Sequence, residues 1–216
     1  MVPIVSIVGK SGSGKTTLLE KVIKELTKRG YTVGILKHDA HGFEIDHEGK
    51  DSWRHKKAGA STVALSSQEK FAVIKDVKSE WAPERIICSY LADSDVVITE
   101  GYKTSRFPKI EVLRKAHSTK PVCTGSRELR AFVTDVKLKT KLPIFGLNDY
   151  KGVAGFIVRE IIKKESSQTV SLVVDGTPVG LKPFIDDLIR EGVTGMIKSL
   201  KGCSEARDIE LRIKKR

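Results

Sequence analysis

The residues Gly9-Lys10-Ser11-Gly12-Ser13-Gly14-Lys15-Thr16 follow the spacing G-x-x-x-x-G-K-[S/T]. Each type in that run has a task in holding phosphate. Glycines allow backbone angles that turn several N–H groups inward toward phosphate oxygens. The helix that must follow offers its positive N-terminal end to the same anion. Lys15 brings a mobile positive charge to the β- and γ-phosphates. The Thr16 hydroxyl suits Mg2+, a hard cation that prefers oxygen ligands. Thr17, next in the helix, completes the nucleotide-binding set. The context fits. Ile4-Val5-Ser6-Ile7-Val8 reads as a buried strand before the loop, and Leu18, Leu19, Val22, Ile23 and Leu26 recur at helical spacing after it, closed by Gly30. This predicts a P-loop that binds a nucleoside triphosphate; it does not by itself specify a reaction.

Three acids follow other predicted strands. Ligands of an open parallel sheet sit beyond the carboxyl ends of its strands. Asp39 follows Tyr31–Lys37, Glu100 follows Val96–Ile98, and Asp135 follows Ala131–Thr134. Asp39 and Glu100 are therefore candidates, with Thr16, to serve the metal directly or through water. Asp135 is a candidate to read the base, because a carboxylate accepts both the N1 hydrogen and the exocyclic amine of guanine. Each of the three also fits a loop-capping role. Asp95 flanks the same strand as Glu100 but at its opposite end, where it is expected to cap a turn. His38, His41 and His47 have the chemistry of zinc ligands, without a diagnostic spacing. Lys103, Arg106, Lys109, Arg114 and Lys115 crowd after Glu100; they suit either a second phosphate-bearing ligand or a solvated charged face.

The elements that must position these groups alternate strand and helix, as in a parallel sheet with crossover helices. Asp51–Ala58 reads as a short helix. Thr62–Leu65 and Phe71–Ile74 read as a hairpin, and Pro83 opens a further helix. Ile110–Leu113, Ala131–Thr134 and Ile144–Phe145 are strand candidates, and Val153, Phe156, Ile157 and Ile161 mark a last helix. The fold class expected is α/β, a P-loop NTPase with a mostly parallel sheet flanked by helices, plus a small C-terminal α+β appendix. Residues 1–166 would form the nucleotide-binding domain. Lys163–Thr169 reads as a linker, and residues 169–216 as a ββαβ appendix of unassigned role. Its strands would flank Asp175-Gly176. Its helix would run over Pro183–Leu200, with a break at Gly192 or Gly195 and a core of Phe184, Leu188, Ile189, Met196 and Leu200. Ile209, Leu211 and Ile213 would form its last strand.

Composition sets bounds. The 216 residues carry 39% apolar and 31% charged side chains and a formal net charge of +12. That charge favours polyanionic ligands or reflects lysine-rich helix faces. Aromatic residues are only 6%, too few for a base-stacking platform, so no nucleic-acid partner is expected. Cys88, Cys123 and Cys203 form no CxxC pair and read as reduced thiols of a cytoplasmic protein. No apolar run is long enough to span a membrane.

Several motifs together carry a resemblance. They are the P-loop and its strand, Gly34-Ile35-Leu36-Lys37-His38-Asp39-Ala40-His41, Asp51-Ser52-Trp53-Arg54-His55 with Gly59-Ala60, and Ile98-Thr99-Glu100-Gly101-Tyr102-Lys103. Over about residues 3–165 the chain resembles the molybdopterin-guanine dinucleotide biosynthesis protein B (MobB) family. The resemblance implies a GTP-binding protein, homodimeric, with weak intrinsic GTPase activity. It implies an accessory role beside the molybdenum cofactor guanylyltransferase (MobA-like) that joins GMP to molybdopterin, with molybdopterin itself a further possible ligand. Residues 169–216 lie outside the part that resembles the family. The competing reading is a P-loop kinase of a small metabolite, with Arg54, Arg106 and Arg114 available for a lid. No Asn-Lys-x-Asp guanine motif is present.

Overall fold

The computed structural model describes residues 2–216 apart from 40–41, 164–169, 171, 175–176, 207–208, 210, 212 and 214–216. Its centre is a six-stranded, wholly parallel sheet. The strands are β1 (Ile4–Val8), β2 (Val33–Lys37), β5 (Val96–Glu100), β6 (Lys109–Leu113), β7 (Leu129–Thr134) and β8 (Ile144–Phe145), in the order β2-β5-β1-β6-β7-β8. β1 lies inside the sheet and is buried along its whole length.

Alternation along the strands sorts the side chains between two layers. Val5 and Ile7 meet Val96, Ile98, Ile110 and Val112 on one face, beneath the helices α1 (Lys15–Lys28) and α4 (Tyr150–Ile157). Leu18, Leu19, Val22 and Leu26 supply the stripe of α1; Val153, Phe156 and Ile157 supply that of α4. Asp149 caps α4 by accepting from the Gly152 N–H. A π-helical stretch, Val158–Ile162, prolongs α4 and buries Ile161. On the opposite face Ile4 and Val97 pack with Phe107 and with Ile87 of α3 (Pro83–Tyr90). Each fully buried aliphatic side chain of this kind contributes about 1.5–3 kcal/mol.

The strands are staggered. Ile7 pairs with Glu100 on one side and Ile110 on the other. β5 therefore ends where β6 has just begun, and residues 101–108 join two parallel strands without an intervening helix. β6 and β7 run on beyond β1, with Leu113 paired to Thr134. This overhang raises a wall beside the phosphate loop.

Two smaller units flank the sheet. α2 (Asp51–Lys57) leads into the hairpin β3 (Thr62–Ser66) and β4 (Phe71–Lys75). Lys56 ties the base of that hairpin, donating to Ala60 O at 2.8 Å and Asp76 Oδ2 at 2.5 Å. Most of the hairpin is solvent-facing, Phe71 being 65% exposed. Toward the C-terminus β9 (Leu172–Val174) pairs antiparallel with β10 (Thr177–Val179), followed by α5 (Pro183–Lys198). The linker expected over 163–169, apart from Lys163, and the turn expected at 175–176 lie outside the described residues.

The C-terminal unit departs from expectation in two ways. α5 runs unbroken through Gly192 and Gly195. Its anticipated core residues Phe184, Leu188, Met196 and Leu200 are exposed, Phe184 by 72%. Asp186 is the buried residue of α5, accepting from Val170 N at 2.9 Å. A unit this small has little surface to bury its apolar stripe against. The strand expected over Ile209, Leu211 and Ile213 interleaves with residues outside the described ones.

Candidate nucleotide-binding site

The loop after β1 has the backbone that phosphate binding requires. Gly9, Gly12 and Gly14 have φ of +150°, +74° and +90°. A Cβ at Gly9 would stand 2.4 Å from Val112 O of the overhanging strand β6. Only glycine allows the loop to lie so close to that wall. α1 begins directly after Gly14, with no side-chain cap and no acid in its first turn, so its leading N–H groups remain available to an anion. The Ser13 Oγ is buried with no hydrogen-bond partner among the described residues. Lys15 Nζ folds back over the loop onto Lys10 O (2.9 Å) and Gly9 O (3.4 Å). Burial lowers the Lys15 pKa; Glu100 opposes the shift and Lys103 adds to it. Unpaired N–H donors, an orphan hydroxyl and an ammonium held on weak carbonyl contacts together suit phosphate oxygens.

Glu100 stands on the same edge. Thr16 Oγ1 donates to Glu100 Oε1 at 3.0 Å. The parallel pairing of β5 with β1 produces that contact across 84 residues of sequence. Asp95 is at the other end of β5, where its Oδ2 accepts from Thr32 N (2.7 Å) and Thr32 Oγ1 (2.8 Å). It closes the entry to β2 and β5, far from the loop. Asp39 lies two residues beyond β2, exposed, on the loop edge.

Across the loop, the β6–β7 overhang carries a second set of groups. Asp135 Oδ1 accepts from Lys115 N at 2.7 Å and so holds the turn after β6. That turn puts Arg114 near Gly14 and the His117 ring against Gly12. A cleft of about 80 Å3 lies between α1 and the ends of β7 and β8, lined by Thr17, Lys21, Arg114, Leu147 and Asn148 among others. Lys21 Nζ reaches Asn148 Oδ1 at 3.4 Å. Sequence reasoning placed Asp135 at this edge but passed over Lys21 and Leu147. Their signal was available in principle: Lys21 lies one helical turn beyond Thr17.

Residues 4–135 match the family model of molybdopterin guanine dinucleotide synthesis protein B (MobB). The chain belongs to this family. It is 38% identical to the molybdopterin-guanine dinucleotide biosynthesis adapter protein of Haemophilus influenzae, over 72% of this chain and 88% of that one. A crystal structure of molybdopterin-guanine biosynthesis protein B is 32% identical and superposes with a TM-score of 0.58, covering 72% of this chain and 97% of its own. A Methanocaldococcus jannaschii protein assigned provisionally to the same adapter group is 26% identical, yet the match covers 97% of both chains. The C-terminal residues outside the initial resemblance therefore fall within the length matched to that archaeal relative.

In this MobB-family chain the basic group after β5 divides. Lys109 is 1% exposed and does not face a ligand; its Nζ donates to the Ser105 and Phe107 carbonyls. Burial lowers its pKa, with Glu128 and Cys123 acting against the shift. Lys103 and Arg106 remain exposed beside Tyr102. His38 pairs with Glu80 (3.1 Å) and packs on the Tyr102 ring. Among the described residues no three His, Cys, Asp or Glu side chains gather as a metal cluster, and His41 lies outside them. No described helix is long and apolar enough to cross a membrane.

Proposed function

We propose that the chain binds GTP with Mg2+ on Gly9–Thr17 and acts as an accessory protein when GMP is joined to molybdopterin. The observation that carries this reading is the Thr16–Glu100 contact beside Lys15, in a chain of the MobB family. Bound Mg2+ would neutralise charge on the β- and γ-phosphates. Thr16 supplies one oxygen to it, Glu100 and Asp39 a carboxylate directly or through water, and Lys15 leaves its carbonyl contacts for the phosphates. Asp135 serves the guanine end. Turnover of GTP is weak, and the protein's work is to present nucleotide to a MobA-like guanylyltransferase in the cytoplasm.

Residues 1–166 hold all of these groups, which supports treating 169–216 as a separate appendix. The solvent-facing hairpin β3–β4, with Leu65 and Phe71 exposed, supports a homodimer that covers it. Calorimetric titration with GTP and ATP, with Mg2+ and with chelator, tests the nucleotide assignment. Adding the protein to a guanylyltransferase and measuring dinucleotide formation tests the role. Equal affinity for ATP and GTP, or no effect on dinucleotide yield, would discard the reading.

A further inference from the structure

The C-terminal unit carries an apolar surface that the nucleotide site does not use. It lies beyond the residues matched by the family model, which end at 135. On one side α5 presents the half-buried Ile189, Val193 and Ile197 together with the buried Asp186. On another, Phe184, Leu188, Met196 and, just past its end, Leu200 fall on a row of every fourth residue with Gly192 at its centre. Leu188 is 58% and Met196 64% exposed. At about 100° per residue, no charged side chain of α5 falls within about 80° of Gly192 around the helix axis. Monomeric soluble proteins rarely leave a large contiguous apolar patch open to water. Gly192 is itself unexplained in the single chain. Glycine weakens a helix relative to alanine, and among the described residues nothing lies within 4 Å of the position its Cβ would take.

Three features of the row identify what covers it. The row is symmetric: Leu188 and Met196 stand four residues either side of Gly192, and Phe184 and Leu200 eight. Its centre is small, so two helix backbones can approach there, and 188, 192 and 196 form one i+4 ridge, the kind that interdigitates in the commonest class of helix packing. Its flank is charged in a complementary way. Asp187 lies five residues before Gly192 and Lys198 six after, within about 20° of each other around the helix axis. We infer that α5 pairs antiparallel with α5 of a second copy of this chain, about a two-fold axis passing at Gly192. That symmetry sets Leu188 beside Met196 of the other copy and Lys198 level with its Asp187, twice over. Asp187 Oδ1 already accepts from Arg190 at 2.6 Å, and a carboxylate has room for a second donor. A parallel pair would align the two helix dipoles and put Lys198 level with Lys198. A lipid surface would meet Asp187 and Glu191 beside the stripe, where membrane-bound helices carry Lys and Arg. The contact uses no residue of the hairpin β3–β4 and none of the phosphate loop.

Disulfide trapping in the full chain tests the pairing. Cys88→Ser and Cys203→Ser form the background, and the buried Cys123 is kept. In that background Gly192→Cys places one thiol of each copy at the two-fold axis. Mild oxidation at micromolar protein should convert most of this variant to a covalent dimer that dithiothreitol reverses, since the crossing brings the two Cα atoms within disulfide reach of about 4.4–6.8 Å. Arg190→Cys lies on the opposite side of the helix, and the antiparallel arrangement sets Leu188→Cys beside Met196 rather than itself. Each should therefore give a yield at least about tenfold lower. Adding Leu188→Glu and Met196→Glu to Gly192→Cys should lower its yield by about tenfold or more with the far-UV spectrum unchanged, because both positions are exposed and charge is excluded only from the paired state. Absence of a Gly192→Cys dimer, the result if the chain's own last residues, a different protein or a lipid surface covers the stripe, would overturn the inference. So would equal trapping of Arg190→Cys, efficient self-trapping of Leu188→Cys, which marks a parallel pair, or indifference to the two glutamates.

Discussion

On the β5 side of the phosphate loop, contact is made by side chains: the Thr16 hydroxyl meets the Glu100 carboxylate, and beyond them lies an open groove of mixed charge. On the β6 side the closest approach is to backbone. Gly9 lies against Val112 O, and Asp135 pins the Lys115 N–H so that Arg114 and His117 stay at the loop. One flank opens the loop onto a groove, the other holds the loop in shape. The difference teaches that a phosphate loop needs two kinds of support, and substitutions on the two sides should fail in different ways.

The largest effect belongs to the residue between the flanks. Lys15→Ala should weaken GTP binding by at least about a hundredfold, since charge-assisted contacts are worth roughly 1.5–3 kcal/mol each and Lys15 serves two phosphates. Its melting temperature should stay close to that of the parent, because the Nζ makes only two carbonyl contacts at the loop surface. Calorimetry and thermal unfolding check both halves.

Gly9→Ala tests the backbone flank. The new methyl would meet Val112 O at 2.4 Å at a positive φ, so β1 and β6 must separate. A destabilisation of about 2–3 kcal/mol is expected, lowering the melting temperature by roughly 5–10 °C, with nucleotide affinity lost as well. Unchanged stability would mean that the close approach is not a constraint.

Glu100→Gln and Asp95→Asn act on the two ends of one strand. The first should reduce Mg2+-dependent GTP binding by about tenfold with little change in stability. The second removes the charge from the acceptor at Thr32 and should cost about 1 kcal/mol of stability with GTP binding intact. If the effects were exchanged, the metal assignment of Glu100 would fall.

The smallest and most specific effect is expected at Asp135. Asp135→Asn should shift preference from GTP toward xanthosine triphosphate if the carboxylate reads the base. If its work is only to hold the Lys115 N–H, GTP and ATP should weaken together by a few fold. A panel of three nucleotides separates the outcomes.

Much of this was legible beforehand because it depends on local pattern. The G-x-x-x-x-G-K-T spacing, the apolar run before it and the stripe of α1 are readable from neighbours within about ten residues. The same-edge placement of Thr16 and Glu100 required only that both strands be parallel. What escaped notice depends on register, which no local pattern states. Lys109 looked like a surface cation among others, yet β6 is central and buries it on its own loop carbonyls. Glu111, two residues on, is likewise buried and accepts from Val122 N and Cys123 N. The Lys21–Asn148 pairing needs the docking of α4 on α1. In α5 the periodicity was read correctly as helical, but periodicity cannot say whether a partner exists, and the described neighbours leave the stripe exposed.

The central position of β1 also governs how the protein is made. β1 is synthesised well before its partners β5 and β6, since Ser6 pairs with Thr99 and Lys109. At roughly 5–20 residues per second, about 5–20 s of translation separate the first strand from both neighbours. Through that interval the strand Ile4–Val8 has no sheet to enter. The phosphate loop, which directly follows that strand, acquires its working shape only after β5 and β6 have been made.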